Sequence, residues 1–200
     1  MLSDRPYAPA CDNNKAPILA VIKKVFLIPG MVLEIGSGTG QHAAYFSKQL
    51  PHLIWQPTDK AESLPGINAW RSHTGHKNLK PPLELDVTQT PWPILGADYI
   101  FSANTVHIMS WSRVEAFFAG VDKILALNGI FCLYGPFNYA GNYTSASNAQ
   151  FDVWLKQRDP QSGIRDFDAL NQLADTAGLR LYKDFAMPAN NRTLVWKKLV

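Results

Sequence analysis

Val32-Leu33-Glu34-Ile35-Gly36-Ser37-Gly38-Thr39-Gly40 runs directly into Gln41-His42-Ala43-Ala44-Tyr45-Phe46. The stretch reads as a buried strand, a loop with glycine at every second position, and a helix that starts as soon as the loop ends. Glycine removes side chains where a ligand must lie against backbone, and it allows the positive φ such a loop needs. The spacing is G-x-G-x-G rather than G-x-G-x-x-G, and an acid, Glu34, stands two residues before the first glycine. That carboxylate would repel a pyrophosphate and attract an ammonium.

On either side of this loop strands alternate with helices. Residues 1–13 are polar, carry Pro6 and Pro9 and lack periodicity, which predicts an arm able to act as a lid. Asn14 is placed to cap a helix with Pro17 in its first turn, and Ile18, Leu19, Ile22, Val25 and Phe26 form the apolar stripe of that helix. Strands are expected at 31–35, 52–57, 83–87, 97–102 and 130–135. Helices are expected at 41–49, around 64–73, from about 114 to a C-cap at Asn128-Gly129, at 148–157 and at about 167–177. Strands at 180–185 and 193–199 are joined by a connection too short for a crossover helix, so they must be antiparallel neighbours. The pattern is a doubly wound, Rossmann-like α/β sheet, mostly parallel, with one antiparallel strand near the C-terminus and helices on both faces.

The totals narrow the function. Two hundred residues, 46% of them hydrophobic, suit one domain spanning 1–200, which leaves no room for a separate recognition domain and favours a small substrate. A net charge of +3 with scattered Lys and Arg argues against nucleic acid. Two cysteines make no disulfide framework, the first residues lack a signal-peptide pattern, and no apolar run approaches a membrane span. The expectation is a cytoplasmic protein that does not engage membranes. Five histidines and two cysteines form no ligand-spaced cluster, so no metal is expected.

In an open α/β sheet ligands bind beyond the carboxyl ends of the strands. Gly36, Ser37, Gly38 and Gly40 form the first such end. Asp59 follows nineteen residues after Gly40 and is placed to accept both hydroxyls of a ribose. Asp86-Val87 ends the third strand, where the carboxylate can take an adenine amino group and the Val87 N–H a ring nitrogen. The bland reading is that Asp59 and Asp86 cap turns, and that Glu34 is a buried acid paired locally. S-adenosylmethionine (SAM), which carries an ammonium and a sulfonium but no phosphate, fits this rim better than NAD.

The chain resembles the class I SAM-dependent methyltransferases through residues 34–40. Within them it is similar to the methyltransferase-like 26 family through Gly40-Gln41-His42-Ala43, Trp55-Gln56-Pro57-Thr58-Asp59, Ala103-Asn104-Thr105-Val106-His107-Ile108, Gly135-Pro136-Phe137 and Gly163-Ile164-Arg165-Asp166, among other segments. The resemblance implies a seven-stranded sheet and SAM as donor. It supplies no substrate.

Asn104 and His107 follow the fourth strand and are the candidate catalytic pair. Asn104 orients cofactor or substrate, and His107 is either a general base or a structural histidine beneath the loop. His42 either touches the cofactor or lies on a helix surface. Tyr134, Tyr139, Tyr143 and Trp111 either wall an acceptor pocket or pack, and Arg165 either pairs with Asp166 or receives an anionic substrate. The leading function is methyl transfer to a small molecule. The alternative is a SAM-binding partner or sensor without turnover.

Overall fold

The computed structural model describes residues 5–200. Residues 1–4 of the expected arm lie outside the described residues. The chain opens with α1 (Pro9–Val25), β1 (Gly30–Ile35), α2 (Gln41–Gln49), β2 (Leu53–Asp59), α3 (Leu64–Thr74) and β3 (Leu83–Glu84). It continues through β4 (Ala97–Ala103), α4 (Trp111–Ile124), β5 (Leu125–Gly135), β6 (Phe137–Asn138), α5 (Ala146–Arg158) and β7 (Arg165–Asp166). The last elements are α6 (Phe167–Thr176), β8 (Leu179–Ala186) and β9 (Arg192–Lys198).

Seven strands form one sheet in the order β3-β2-β1-β4-β5-β9-β8. All neighbours are parallel except β9, which runs antiparallel to both β5 and β8. The direction of the chain reverses between β1 and β4, so the loops after these strands flank the crevice of a doubly wound sheet. Each face has its own core. α1 and α2 bury Ile18, Ile22 and Phe46 against Val32, Trp55 and Phe101. On the other face α4 and α6 bury Phe117, Phe118 and Leu170 against Leu33, Ile100, Phe131 and Trp196. The alternation of Val32 and Leu33 between these clusters is the two-residue side-chain period of a strand buried on both faces.

The structure departs from the expected elements in four places. α1 starts at Pro9, so residues 9–13 of the expected arm are helix, Pro17 lies inside it and Asn14 is a buried interior residue rather than a cap. Proline suits the first helical position, where its missing N–H has no partner to lose. α4 ends at Ile124, and Asn128 (φ 65) turns the chain inside β5 instead of closing the helix. β3 stops at Glu84, two residues before Asp86. Two-residue strands β6 and β7 pair as a separate parallel ribbon, too short to leave a periodic signature.

Candidate functional site

The glycine loop turns most of its N–H groups inward. Gly36 and Ser37 both donate to the Thr58 carbonyl at 3.0 Å, Gly40 donates to the Ser37 carbonyl, and Gly38 donates to Asp59 Oδ2 at 2.6 Å. The Ser37 hydroxyl is buried and accepts from the Thr58 N–H. The three glycines differ in what they face. A Cβ at Gly36 would stand 2.5 Å from Thr105 Cγ2, and one at Gly40 2.8 Å from Ile67 Cα, so both positions are closed by protein. Gly38 has φ +56 and nothing within 4 Å of its absent side chain. Of the three, Gly38 alone opens to solvent.

Glu34 is 1% exposed and finds a local partner, accepting from Trp55 Nε1 at 2.8 Å. Burial pushes its carboxyl up to about 7; hydrogen bonds from Trp55 and Ser37 oppose the rise and the Asp59 charge adds to it. Asp59 is half-buried at the end of β2, and its Oδ1 accepts from the Lys60 N–H at 2.7 Å. An ionised carboxylate has four acceptor positions, so these two bonds leave room for a ligand hydroxyl. Asp86 closes its own turn: Oδ1 accepts from the Thr88 N–H and hydroxyl, which holds its pKa below the usual carboxylate range. Its Oδ2 faces Arg113 at 3.8 Å, and Val87 is buried beside it.

Asn104 links this rim to a cavity. It sits just past β4 with φ 59, a left-handed conformation that Asn tolerates better than most residues, and its N–H donates to the Tyr134 carbonyl at the end of β5. Beyond it lies a cavity of about 920 Å³, lined among others by Asn104, His107, Tyr134, Phe151, Trp154 and Asn14. α1, α5 and the 188–191 turn complete the walls. Asn13, Asn148 and Asn191 also line it, and sequence reasoning missed the contribution of α5 altogether. The nearly uniform polar stretch before that helix gave no signal that its Phe151 and Trp154 would face a cavity.

His107 is 5% exposed, its ring edge meets Phe151, and its Nδ1 has no hydrogen-bond partner. Burial, with Arg165 nearby, brings its pKa down to about 4, so it is neutral at pH 7. His42 is not a helix-surface residue. It is buried, stacks on Phe46 and donates from Nε2 to Asn14 Oδ1 at 2.7 Å. Burial brings its pKa to about 4, with Lys15 adding to the fall.

Arg165 does not pair with Asp166. Its guanidinium is spent on the carbonyls of Val106, Met109 and Gln161 and lies over the Trp111 ring, so it pins the segment that carries His107. Asp166 instead caps α6 and accepts from the Gly141 N–H. Tyr139 stacks on Phe167 and donates to Asp184, while Tyr143 donates to the buried Asp152; Tyr134 does line the cavity. Among the described residues no helix is long and apolar enough to cross a membrane, and no three His, Cys, Asp or Glu side chains are placed to hold a metal ion.

The fold is that of solved methyltransferases. An O-methyltransferase family protein from Burkholderia thailandensis superposes with a TM-score of 0.83 at 13% identity, covering 95% of this chain and 57% of its own. An O-methyltransferase family 2 protein from Planctomyces limnophilus, solved with apigenin, gives 0.80 at 15%, covering 95% and 60%. Human N-acetylserotonin methyltransferase, in complex with SAM, gives 0.78 at 15%, covering 96% and 53%. This chain therefore spans little more than half the length of these structures, and at such identities the likeness establishes architecture. In sequence, residues 5–198 match the family described as "Protein of unknown function (DUF938)". With nearly its whole length inside that match, the chain belongs to this family.

Proposed function

We propose that the chain is a SAM-dependent methyltransferase acting on a small molecule, in line with its resemblance to the methyltransferase-like 26 family. The observation that carries the reading is the glycine loop itself. Most of its N–H groups are spent on Thr58, Asp59 and Ser37, which leaves little of a nest for phosphate, yet Gly38 opens to solvent beside Asp59. That donor set suits a cationic nucleoside and not a dinucleotide. Gly36, Ser37, Gly38 and Gly40 would shape the floor, Asp59 would accept the ribose hydroxyls, and Asp86 Oδ2 with the Val87 N–H would meet the adenine edge. Glu34 would supply the countercharge for the ammonium.

Bound SAM supplies an electrophilic methyl group on a sulfonium that loses its charge when the methyl leaves. The protein's task is then largely alignment, which can contribute several kcal/mol, about 7–11 in well-oriented cases. Asn104 stands between loop and cavity, where a carboxamide can orient donor and acceptor together. His107, neutral at pH 7, is available to take a proton from the acceptor as it is methylated. The same burial weakens His107 as a base, and this favours the second reading, a SAM-binding partner or sensor without turnover. We further infer a single domain and a cytoplasmic location.

Calorimetric titration with SAM and with NAD tests the donor assignment. Binding of SAM and none of NAD is expected; the reverse would overturn it. Formation of S-adenosylhomocysteine with a panel of acceptors then separates enzyme from sensor.

A further inference from the structure

One hydroxyl on the cavity wall keeps a proton that the protein does not use. Tyr99 gives its proton to the Ile28 carbonyl at 3.0 Å, and Tyr139 and Tyr143 give theirs to Asp184 and Asp152 at 2.7 Å. Among the described residues nothing accepts from Tyr134. Its ring is enclosed in the core beside Val32, Trp55 and Phe101, and only 3% of the residue is exposed. The phenol tip differs from the ring. Among the described residues the sealed side-chain atoms without a partner are His107 Nδ1, Asn138 Oδ1 and Thr193 Oγ1. No hydrogen bond closes on the Tyr134 oxygen, yet it is not one of these three, so it keeps surface of its own. The open space that Tyr134 borders is the cavity.

Asn14, which also lines the cavity, sets the direction of that proton. His42 donates to Asn14 Oδ1 at 2.7 Å, which leaves the Asn14 Nδ2 to face the Tyr134 oxygen. An amide N–H only donates, so it stands against a lone pair and the phenol's own proton turns away from it. The three dipoles then point one way, from His42 through Asn14 to Tyr134, and each strengthens the next as a donor. Burial raises the Tyr134 pKa and the Asn14 amide opposes the rise, so at neutral pH the phenol holds its proton. The ionised side chains on the lining, Arg158 and Asp159, are both exposed and of opposite sign. A guest facing this donor therefore meets no buried countercharge, and the lone pair it offers belongs to a neutral group.

Resting on the methyltransferase reading, we propose that Tyr134 binds the acceptor directly, its hydroxyl donating to a neutral carbonyl oxygen on the guest. Such a hydrogen bond draws electron density from the atom that accepts it, so the gripped oxygen is not the atom that attacks the methyl group. The acceptor thus carries a carbonyl in addition to its nucleophile. The main chain sets this grip beside the candidate catalytic segment: the Asn104 N–H donates to the Tyr134 carbonyl at 2.9 Å, and Ala103 pairs with Tyr134 across β4 and β5.

The test compares two ring probes by calorimetry, since Phe151 and Trp154 give the cavity aromatic walls. They are 2-acetylnaphthalene and 2-isopropenylnaphthalene, which has the same outline with a methylene in place of the carbonyl oxygen. The ketone is expected to bind about tenfold more tightly, the scale of one well-made hydrogen bond. Tyr134→Phe removes the oxygen and keeps the ring, and the affinity ratio of the two probes should fall to about one. A merely structural role for the hydroxyl would weaken both probes alike and leave that ratio unmoved. Equal affinity in the parent protein, no binding of the ketone, or an unchanged ratio in Tyr134→Phe would each overturn the inference, and the probe pair decides even if the variant folds poorly. SAM is titrated separately: SAM binding without ketone preference removes this inference alone, and ketone preference without SAM binding removes the donor assignment alone.

Discussion

Gly38 and Asp59 are tied to each other: the glycine N–H donates to Asp59 Oδ2 across 2.6 Å, joining the loop after β1 to the acid at the end of β2. Asp59 therefore holds the loop in shape as well as facing the space above it. Asp59→Ala removes both contributions. SAM affinity should fall by about 1–3 kcal/mol, the range for hydrogen bonds to a charged group. Calorimetry reads the loss, and unchanged affinity would dismiss Asp59 from the site.

The loop glycines should separate under substitution. Gly38→Val adds a branched side chain where the protein leaves open space, and it forces φ +56 on a residue that resists it, at about 1–2 kcal/mol of stability. The variant should fold and fail to bind SAM. Gly40→Ala pushes a methyl against Ile67 backbone and should cost more stability than Gly38→Val. Denaturant melts rank the two; the opposite order would contradict the packing described.

Glu34 makes stability depend on pH in an unusual direction. In the unfolded chain its carboxyl ionises near 4.5, and in the folded protein at about 7. Between these values the native state keeps a proton that the unfolded state has lost, so this contribution is full below pH 4.5 and gone once the pH has risen past 7. Glu34→Gln should stabilise the protein at pH 8 by up to about 3 kcal/mol and have little effect at pH 4. If Glu34 is the countercharge for an ammonium, SAM binding near pH 7 should also release a proton, read by calorimetry in buffers of different ionisation enthalpy. That release should vanish in Glu34→Gln.

His42 and His107 act in the opposite sense. Each has an ordinary pKa near 6.5 and a folded value of about 4, so their stabilisation is complete above pH 6.5 and is lost as the pH falls toward 4. Each accounts for about 3 kcal/mol over that window. Replacing either one should flatten the acid limb of the stability profile, measured by denaturant melts at a series of pH values. His107→Ala should in addition slow methyl transfer while leaving SAM affinity near normal; collapse of that affinity would make the residue structural.

Arg165→Lys tests the clamp on the His107 segment. A lysine has one ammonium where the guanidinium reaches the Val106, Met109 and Gln161 carbonyls together. A loss of about 1–3 kcal/mol is expected, with faster hydrogen exchange across 105–109. A silent substitution would remove Arg165 from this role.

The succession of strands and helices along the chain and the place of the glycine loop were legible because periodicity and loop chemistry are local. The start of α1 was not, because Ala8 offers no side-chain cap and Pro17 reads as a helix start when it is in fact inside one. Asp59 and Asp86 could be placed near their strand ends from spacing, but spacing cannot distinguish an acid that faces a ligand from one that also closes a turn, as Asp86 does with Thr88. The cavity was hardest to foresee. Its walls come from α1, α5, the end of β5 and the 188–191 turn, segments that only the folded chain brings together. Arg165 shows the same limit: nothing about a lone arginine announces three carbonyl partners some of which lie more than fifty residues away.

Asn14 holds His42 with its Oδ1, and its amide faces the Tyr134 hydroxyl, where it opposes the rise that burial imposes on that phenol. One carboxamide thus spans from the helix that begins at the glycine loop to the wall of the cavity. A ligand that nudges α2 must strain or relax the surroundings of the other compartment through this single rivet. Were a guest in one compartment to change the affinity of the other, the effect would be reciprocal, each guest doing to the second what the second does to it.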